Sequence, residues 1–150
     1  MNEISLNKEQ LKNLLPHREP MLLLDELINI KKLFSATAIV NVQKNSFFVQ
    51  GHFPNQPVMP GVLIVESFGQ AAAALTASGI DKSTYENKLV FLMGVEKARF
   101  RNPVIPNCKL ILKIEAIRSH GRVWKYKGEA FVNDLKMADA MWSATIVDKK

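Results

Sequence analysis

The sequence predicts an α+β domain, one long buried helix wrapped by a curved antiparallel sheet of about six strands. Three observations predict it. Residues 62–77 form a single apolar stretch of helix-forming composition. Four extended runs, at 89–100, 109–118, 123–132 and 136–147, fill the C-terminal half. The connections between successive runs are short, and short connections imply antiparallel pairing. A chain of 150 residues, 47% hydrophobic and 23% charged, has the size and composition of one domain with a real core, spanning residues 1–150.

Taken in order, Ser5 to Gln10 opens a short amphipathic helix whose apolar set is Leu6, Leu11, Leu14 and Leu15, and Pro16 stops it. Met21–Ile30 and Leu33–Val42 read as strands, the second alternating Phe34, Ala36, Ala38, Val40 and Val42 against its other face. Ser46–Gln50 is a short β-like run. Residues 51–61, GHFPNQPVMPG, carry three prolines and two glycines, a density that forbids regular structure and fixes a shaped loop. Val62–Ala77 then runs as a helix about 24 Å long, with Pro60 and Gly61 at its mouth and Gly79 beyond its end. It is apolar nearly all round, which buries it. The polar loop from Ile80 to Lys88 follows. The four late strands are separated by 101–107 with its two prolines, by Ser119-His120-Gly121 and by Asn133-Asp134.

The formal charge is +6, and nine basic against two acidic residues fall between 96 and 127. Most of these read as solvated strand faces. The excess favours acidic partners. No apolar run approaches the ~20 residues that span a bilayer, so no membrane insertion is expected. The first sixteen residues lack the features of a signal peptide. A single cysteine, Cys108, fits a reducing compartment, and a cytoplasmic location is the expectation.

Glu66 sits inside the most apolar helix of the chain. A buried carboxylate must find a partner or hold a proton. Desolvation raises its proton affinity, which suits a general acid. The alternative is a helix face open to solvent, or a salt bridge to a distant arginine. Gln70, four residues on, shares its face and can orient it. His52, at the start of the proline-rich loop, is a candidate base near neutral pH. His17 reads as structural or substrate-adjacent, and His120 as solvent-facing. No histidine stands at metal-ligand spacing to another, which argues against a metal. Gly61 opens a helix, so its N–H is an unpaired first-turn donor at the positive dipole end. No P-loop, GxGxxG or GxSxG occurs, and no cofactor is expected. A base, an acid and a backbone donor without a nucleophile suit proton chemistry beside a carbonyl.

Residues 51–73, GHFPNQPVMPGVLIVESFGQAAA, closely resemble the signature of the (3R)-hydroxyacyl-[acyl-carrier-protein] dehydratases of type II fatty acid synthesis. The resemblance extends to LLPHREPMLLLDEL at 14–27, FLMGVEKARFRNPVIP at 91–106 and GRVWKYKGEAFV at 121–132, and so covers nearly the whole chain. Glutamate rather than aspartate at position 66 makes it look like the FabZ-type, dehydratase-only branch. The resemblance implies the hot-dog fold, a homodimer, often three dimers to a hexamer, and an active site at the dimer interface where His52 faces Glu66 of the partner subunit. Asn55-Gln56 and Ser67-Phe68-Gly69 depart from the common pattern, and the latter bears on acyl-chain preference.

The implied reaction is reversible loss of water from a 3-hydroxyacyl thioester to give the trans-2-enoyl thioester. His52 takes the C2 proton and the Gly61 N–H stabilises the enolate-like oxygen, such a donor being worth about 3 kcal/mol. Glu66, protonated or working through a bound water, delivers a proton to the departing hydroxyl. Gln70, Phe53, Pro57, Val58 and Phe68 form the expected orienting or substrate-binding set. Lys97, Arg99 and Arg101 are the expected patch for the acyl carrier protein and its phosphopantetheine phosphate. The rival readings are a hot-dog thioesterase or a CoA-linked hydratase, and a non-catalytic binding module. No nucleic-acid partner is expected, because no aromatic stacking motif is evident.

Overall fold

The computed structural model describes residues 4–148. In chain order its elements are β1 (Ile4–Asn7), α1 (Lys8–Leu14), β2 (Glu26–Lys31), β3 (Ser35–Val42), α2 (Gly61–Gly79), α3 (Lys82–Tyr85), β4 (Lys88–Phe100), β5 (Cys108–His120), β6 (Val123–Val132) and β7 (Leu135–Asp148). The strands form one sheet of seven in the order β1-β2-β3-β5-β6-β7-β4, every pair antiparallel. Helix α2 packs on six of them, β2 to β7, so the sheet bends round it. Among the described residues α2 is the one helix long and apolar enough to span a bilayer, and the sheet buries most of it.

Local chemistry explains the connections. Asn133 and Asp134 both take positive φ, 49° and 66°, the mirror-image turn that matches strand twist and joins β6 to β7. Gly121, at φ 63°, turns β5 into β6. In β3 the alternate residues Ala36, Ala38, Val40 and Val42 are buried against α2, as the alternation predicts, but Phe34, the expected first member, precedes the strand and is exposed.

The structure departs from the sequence reading in several places. Ile4–Asn7 is a strand, seated beside β2 with Leu6 opposite Leu27, and it makes the sheet seven-stranded instead of six. The helix starts only at Lys8, where Asn7 and Gln10 exchange side-chain and backbone hydrogen bonds of 2.9 Å in a capping box. Residues 21–25 are not strand: the Met21 and Leu22 N–H groups turn back to the Arg18 carbonyl, and Gln70 takes the Leu23 N–H. Ser46–Gln50 is not β-like but a series of turns, with Ser46, Val49 and His52 each donating to the carbonyl three residues back. The loop after α2 also holds the single turn α3.

The core centres on a run of stacked rings. Phe68 lies on Trp142 with centroids 5.1 Å apart, Trp142 on Tyr126 at 5.9 Å and Tyr126 on Trp124 at 6.5 Å. Gly128 makes room for it, since a Cβ there would come within 2.8 Å of Trp142 and 2.9 Å of Phe68. Phe68 is fully buried, and burying such a side chain contributes roughly 1.5–3 kcal/mol. A polar link joins α2 to β6 inside this core, the hydrogen bond between the Thr76 and Tyr126 hydroxyls. Burial pushes the Tyr126 phenol up to about 12, although the Thr76 bond pulls the other way. Thr76→Val keeps the shape but leaves the Tyr126 hydroxyl without its buried partner. It is expected to lower unfolding free energy by about 1–3 kcal/mol, read as a shifted denaturant midpoint with unchanged slope.

Candidate active site

The proline-rich loop holds His52 by two contacts to one residue. The His52 Nδ1 lies 2.8 Å from the Val58 carbonyl oxygen, and the Val58 N–H donates to the His52 carbonyl at 2.7 Å. A carbonyl only accepts, so Nδ1 carries the hydrogen and Nε2 keeps its lone pair. The Phe53 ring stacks on the imidazole with centroids 4.4 Å apart. Phe53 and Gln56 close the loop tip with reciprocal backbone bonds of 3.1 Å. Buried Met59 ties the far side to Val104 at 2.8 Å, with Pro57 and Val58 between the two anchors. His52 is therefore a half-buried imidazole of fixed tautomer on a braced loop.

Helix α2 presents the carboxyl. Gln70 is buried and spends its whole amide: Oε1 accepts from Leu23 N–H at 2.9 Å, and Nε2 donates to the Met21 carbonyl at 2.7 Å and to Glu66 Oε2 at 2.9 Å. The orienting role expected of Gln70 has this geometry behind it. His17 supplies the second partner, its Nε2 3.5 Å from the same Oε2. Here the structure corrects the sequence reading of Glu66 as a carboxyl of raised proton affinity. Burial does push Glu66 up, but the hydrogen bonds from His17 and Gln70, with the charge His17 can carry, outweigh it and hold the carboxyl below its usual value. Neither partner is an arginine, and His17, expected to be structural or substrate-adjacent, stands beside Glu66. A buried carboxylate demands a donor, and that demand was the one sequence signal pointing at His17.

Gly61 is the first residue of α2, and its N–H finds no acceptor among the described residues. Glycine there also has a packing reason, since a Cβ would meet the Phe100 ring at 2.9 Å. Phe68 points elsewhere. Two residues from Glu66 is about 200° round a helix, and Phe68 lies against Trp142 in the core, away from the carboxyl. Among the described residues the His52 side chain hydrogen-bonds only Val58, and Glu66 meets only Gln70 and His17. His52 and Glu66 thus form no hydrogen bond or ion pair with each other within one chain. An apolar cavity lies between the second half of α2 and the sheet, lined by Ala73, Ala77, Val90, Trp124 and Ile146 among others. Ala73 and Ala77 continue the helix stripe that carries Glu66 and Gln70.

The basic patch lies on the opposite side of the sheet. Lys97 and Arg101 line a trough of about 670 Å³ on the outer face, together with Lys31, Lys113, Lys127 and Lys136. Arg101 is engaged with Asp139 at 2.5 Å, and Lys136 with Glu129 at 2.5 Å. Arg99 is exposed and stands opposite Asp139 in the β4–β7 register.

A family model described as FabA-like domain matches residues 15–141. The 3-hydroxyacyl-[acyl-carrier-protein] dehydratase FabZ of Myxococcus xanthus is 49% identical over 139 residues, 91% of this chain and 89% of that protein. The protein of the same name from Paramagnetospirillum magneticum is 45% identical over 137 residues, 91% of this chain and 84% of that protein. Among solved structures, the dehydratase heterocomplex ApeI:P from Xenorhabdus doucetiae matches with TM-score 0.81 and 18% identity, covering 93% of this chain and 91% of that one. That last likeness speaks for the fold alone.

Proposed function

The chain belongs to the FabA-like family, as one of its FabZ-type 3-hydroxyacyl-[acyl-carrier-protein] dehydratases with the hot-dog fold, and from that premise we propose that His52, Gly61 and Glu66 carry the elimination. The reaction removes water from a 3-hydroxyacyl thioester on acyl carrier protein, a step of fatty acid biosynthesis.

The observation that carries the residue assignment is the hydrogen bond from His52 Nδ1 to Val58, which leaves Nε2 as the basic nitrogen. Nε2 removes the C2 proton, and the electron pair moves into the thioester as an enolate-like charge. The Gly61 N–H, at the positive end of α2, stabilises that charge. The pair then returns to form the C2–C3 double bond as the C3–O bond breaks, and Glu66 gives the departing oxygen its proton. Glu66 is about one-third exposed in the single chain, and its largest influence is already desolvation. Covering it with an acyl chain and a second copy strengthens that upward push and moves the carboxyl toward its acid form.

The second copy comes from β4. This strand is an edge of the sheet, 13 residues long, and it exposes Phe91, Leu92, Met93, Val95 and Phe100. An exposed apolar edge of that length is a pairing surface. Pairing β4 with its own copy about a two-fold axis makes an isologous dimer. In the proposed dimer His52 faces Glu66 of the partner subunit, so the base and the acid acting on one substrate come from different copies. Three such dimers in a hexamer remain part of the proposal, as does a cytoplasmic location.

The apolar stripe of Ala73 and Ala77, which continues the helix face of Glu66, is the proposed path of the acyl tail, and the space of about 30 Å³ beside it must widen to admit the chain. Lys97 and Arg99, with Arg101 partly neutralised by Asp139, are the proposed contacts to the acidic carrier. Mass spectrometry of a 3-hydroxyacyl carrier-protein thioester incubated with the enzyme tests the reaction. Loss of one water is the expected result. Free carrier thiol would mean a thioesterase, and an unchanged thioester would leave a binding protein.

A further inference from the structure

We propose that His17 is a positioning residue for Glu66, the imidazole and Gln70 together holding one carboxylate oxygen so that the other alone faces the reaction. The inference rests on the assignment of Glu66 as the acid. Its geometry is specific to one atom. Both Gln70 Nε2 and His17 Nε2 converge on Oε2, at 2.9 Å and 3.5 Å. The Gln70 amide cannot turn over, because its Oε1 must accept from the Leu23 N–H while Nε2 donates to the Met21 carbonyl. Oε2 is therefore always met by a donor, and a proton on Glu66 sits on Oε1. When Oε1–H passes its proton to the leaving hydroxyl, water forms and the carboxylate left behind has two donors already in place on Oε2.

The segment that carries His17 is built for fixed placement. Pro16 follows the end of α1, and the Arg18 guanidinium clamps that end, donating to the carbonyls of Leu15 at 2.9 Å, His17 at 2.6 Å and Lys12 at 3.1 Å. Arg18 is thereby turned away from the carboxyl. Glu19, the next charged group, is paired with Lys12 at 2.9 Å. Among the described residues His17 is the one titratable group within ion-pair distance of Glu66, and Gln70, the other contact, is neutral. The His17 side chain is only about 20% exposed, and its Nδ1 is buried with no hydrogen-bond partner among the described residues. A histidine held at that cost for its other nitrogen gives its polar interaction to Glu66 alone.

The test uses the full-length enzyme with the side-chain carboxyl carbons of glutamate labelled, and follows Glu66 by NMR through a pH titration. In His17→Ala the Glu66 titration is expected to move upward, because the donor holding it down is gone and burial remains. In the same variant kcat is expected to fall roughly 10- to 100-fold with KM within about twofold, the range a misplaced catalytic group produces. His17→Gln, which restores a neutral donor, recovers part of kcat and serves also if the alanine variant fails to fold. A folded variant whose Glu66 titration stays at the wild-type position overturns the proposal, and so does an upward shift with kcat unchanged. Failure of the underlying assignment looks different. Glu66→Gln would then retain activity within a few-fold of wild type, whatever His17 does.

Discussion

Replacing His52 by alanine is expected to lower kcat/KM on a 3-hydroxyacyl carrier-protein thioester by about 10³-fold, within the 10²–10⁴ that a positioned general base supplies. The size follows from how little else in the site can accept a proton from C2. The imidazole is held by the Val58 carbonyl and stacked on Phe53, and the Val58 N–H fixes the His52 backbone, so the lone pair of Nε2 has one direction. Alanine removes that nitrogen but leaves the His52 backbone bonds to Val49 and Val58 in place. The loop should therefore hold its course, and the thermal midpoint should move little. Exchange of the C2 hydrogen with deuterated water checks the step directly: it should vanish along with turnover. Activity retained within tenfold, or exchange that persists, would remove His52 from the role of base.

The second large effect is expected of Glu66→Gln, a loss of roughly 10²–10³ in kcat. Glutamine keeps the volume and an acceptor near Gln70 and His17, yet has no carboxyl proton to give. Because Glu66 must be protonated to act, wild-type kcat should fall as pH rises through the Glu66 value in the substrate complex. In the free chain His17 and Gln70 outweigh burial and hold the carboxyl below its usual value, so the bound substrate must raise it before it can donate. The falling limb of kcat should disappear in Glu66→Gln. A variant that keeps the falling limb of kcat would show that another group carries the acid step.

What was legible in the sequence follows from the range of the interactions involved. The buried helix, the shaped loop at 51–61 and the Asn133-Asp134 turn are written in neighbouring residues, so composition and spacing reveal them. Gln70 was legible for the same reason, one helical turn from Glu66. Strand β1 was not, because Ile4–Asn7 is extended only through its pairing to Leu27 and Ile30. Phe47, Phe48 and Val49 look like strand, yet Phe48 and Val49 are both buried, and adjacent residues of a strand lining one core face cannot both point inward. His17 lies 49 residues from Glu66, and no local rule joins them. The direction of the Glu66 shift was hidden with it, since desolvation can be inferred from one helix while the compensating donor cannot. Phe68 was misread although the information was present: its angle round the helix from Glu66 already sends it to the core.

The proposed pairing of His52 with Glu66 of the partner subunit has a consequence for inheritance. In a dimer whose sites each take the base from one copy and the acid from the other, a His52→Ala chain still carries an intact Glu66, and a Glu66→Gln chain an intact His52. Mixed together, two inactive alleles assemble heterodimers in which one of the two sites has both damaged residues and the other has neither. Two recessive lesions in the same gene would then complement each other, as though they lay in different genes.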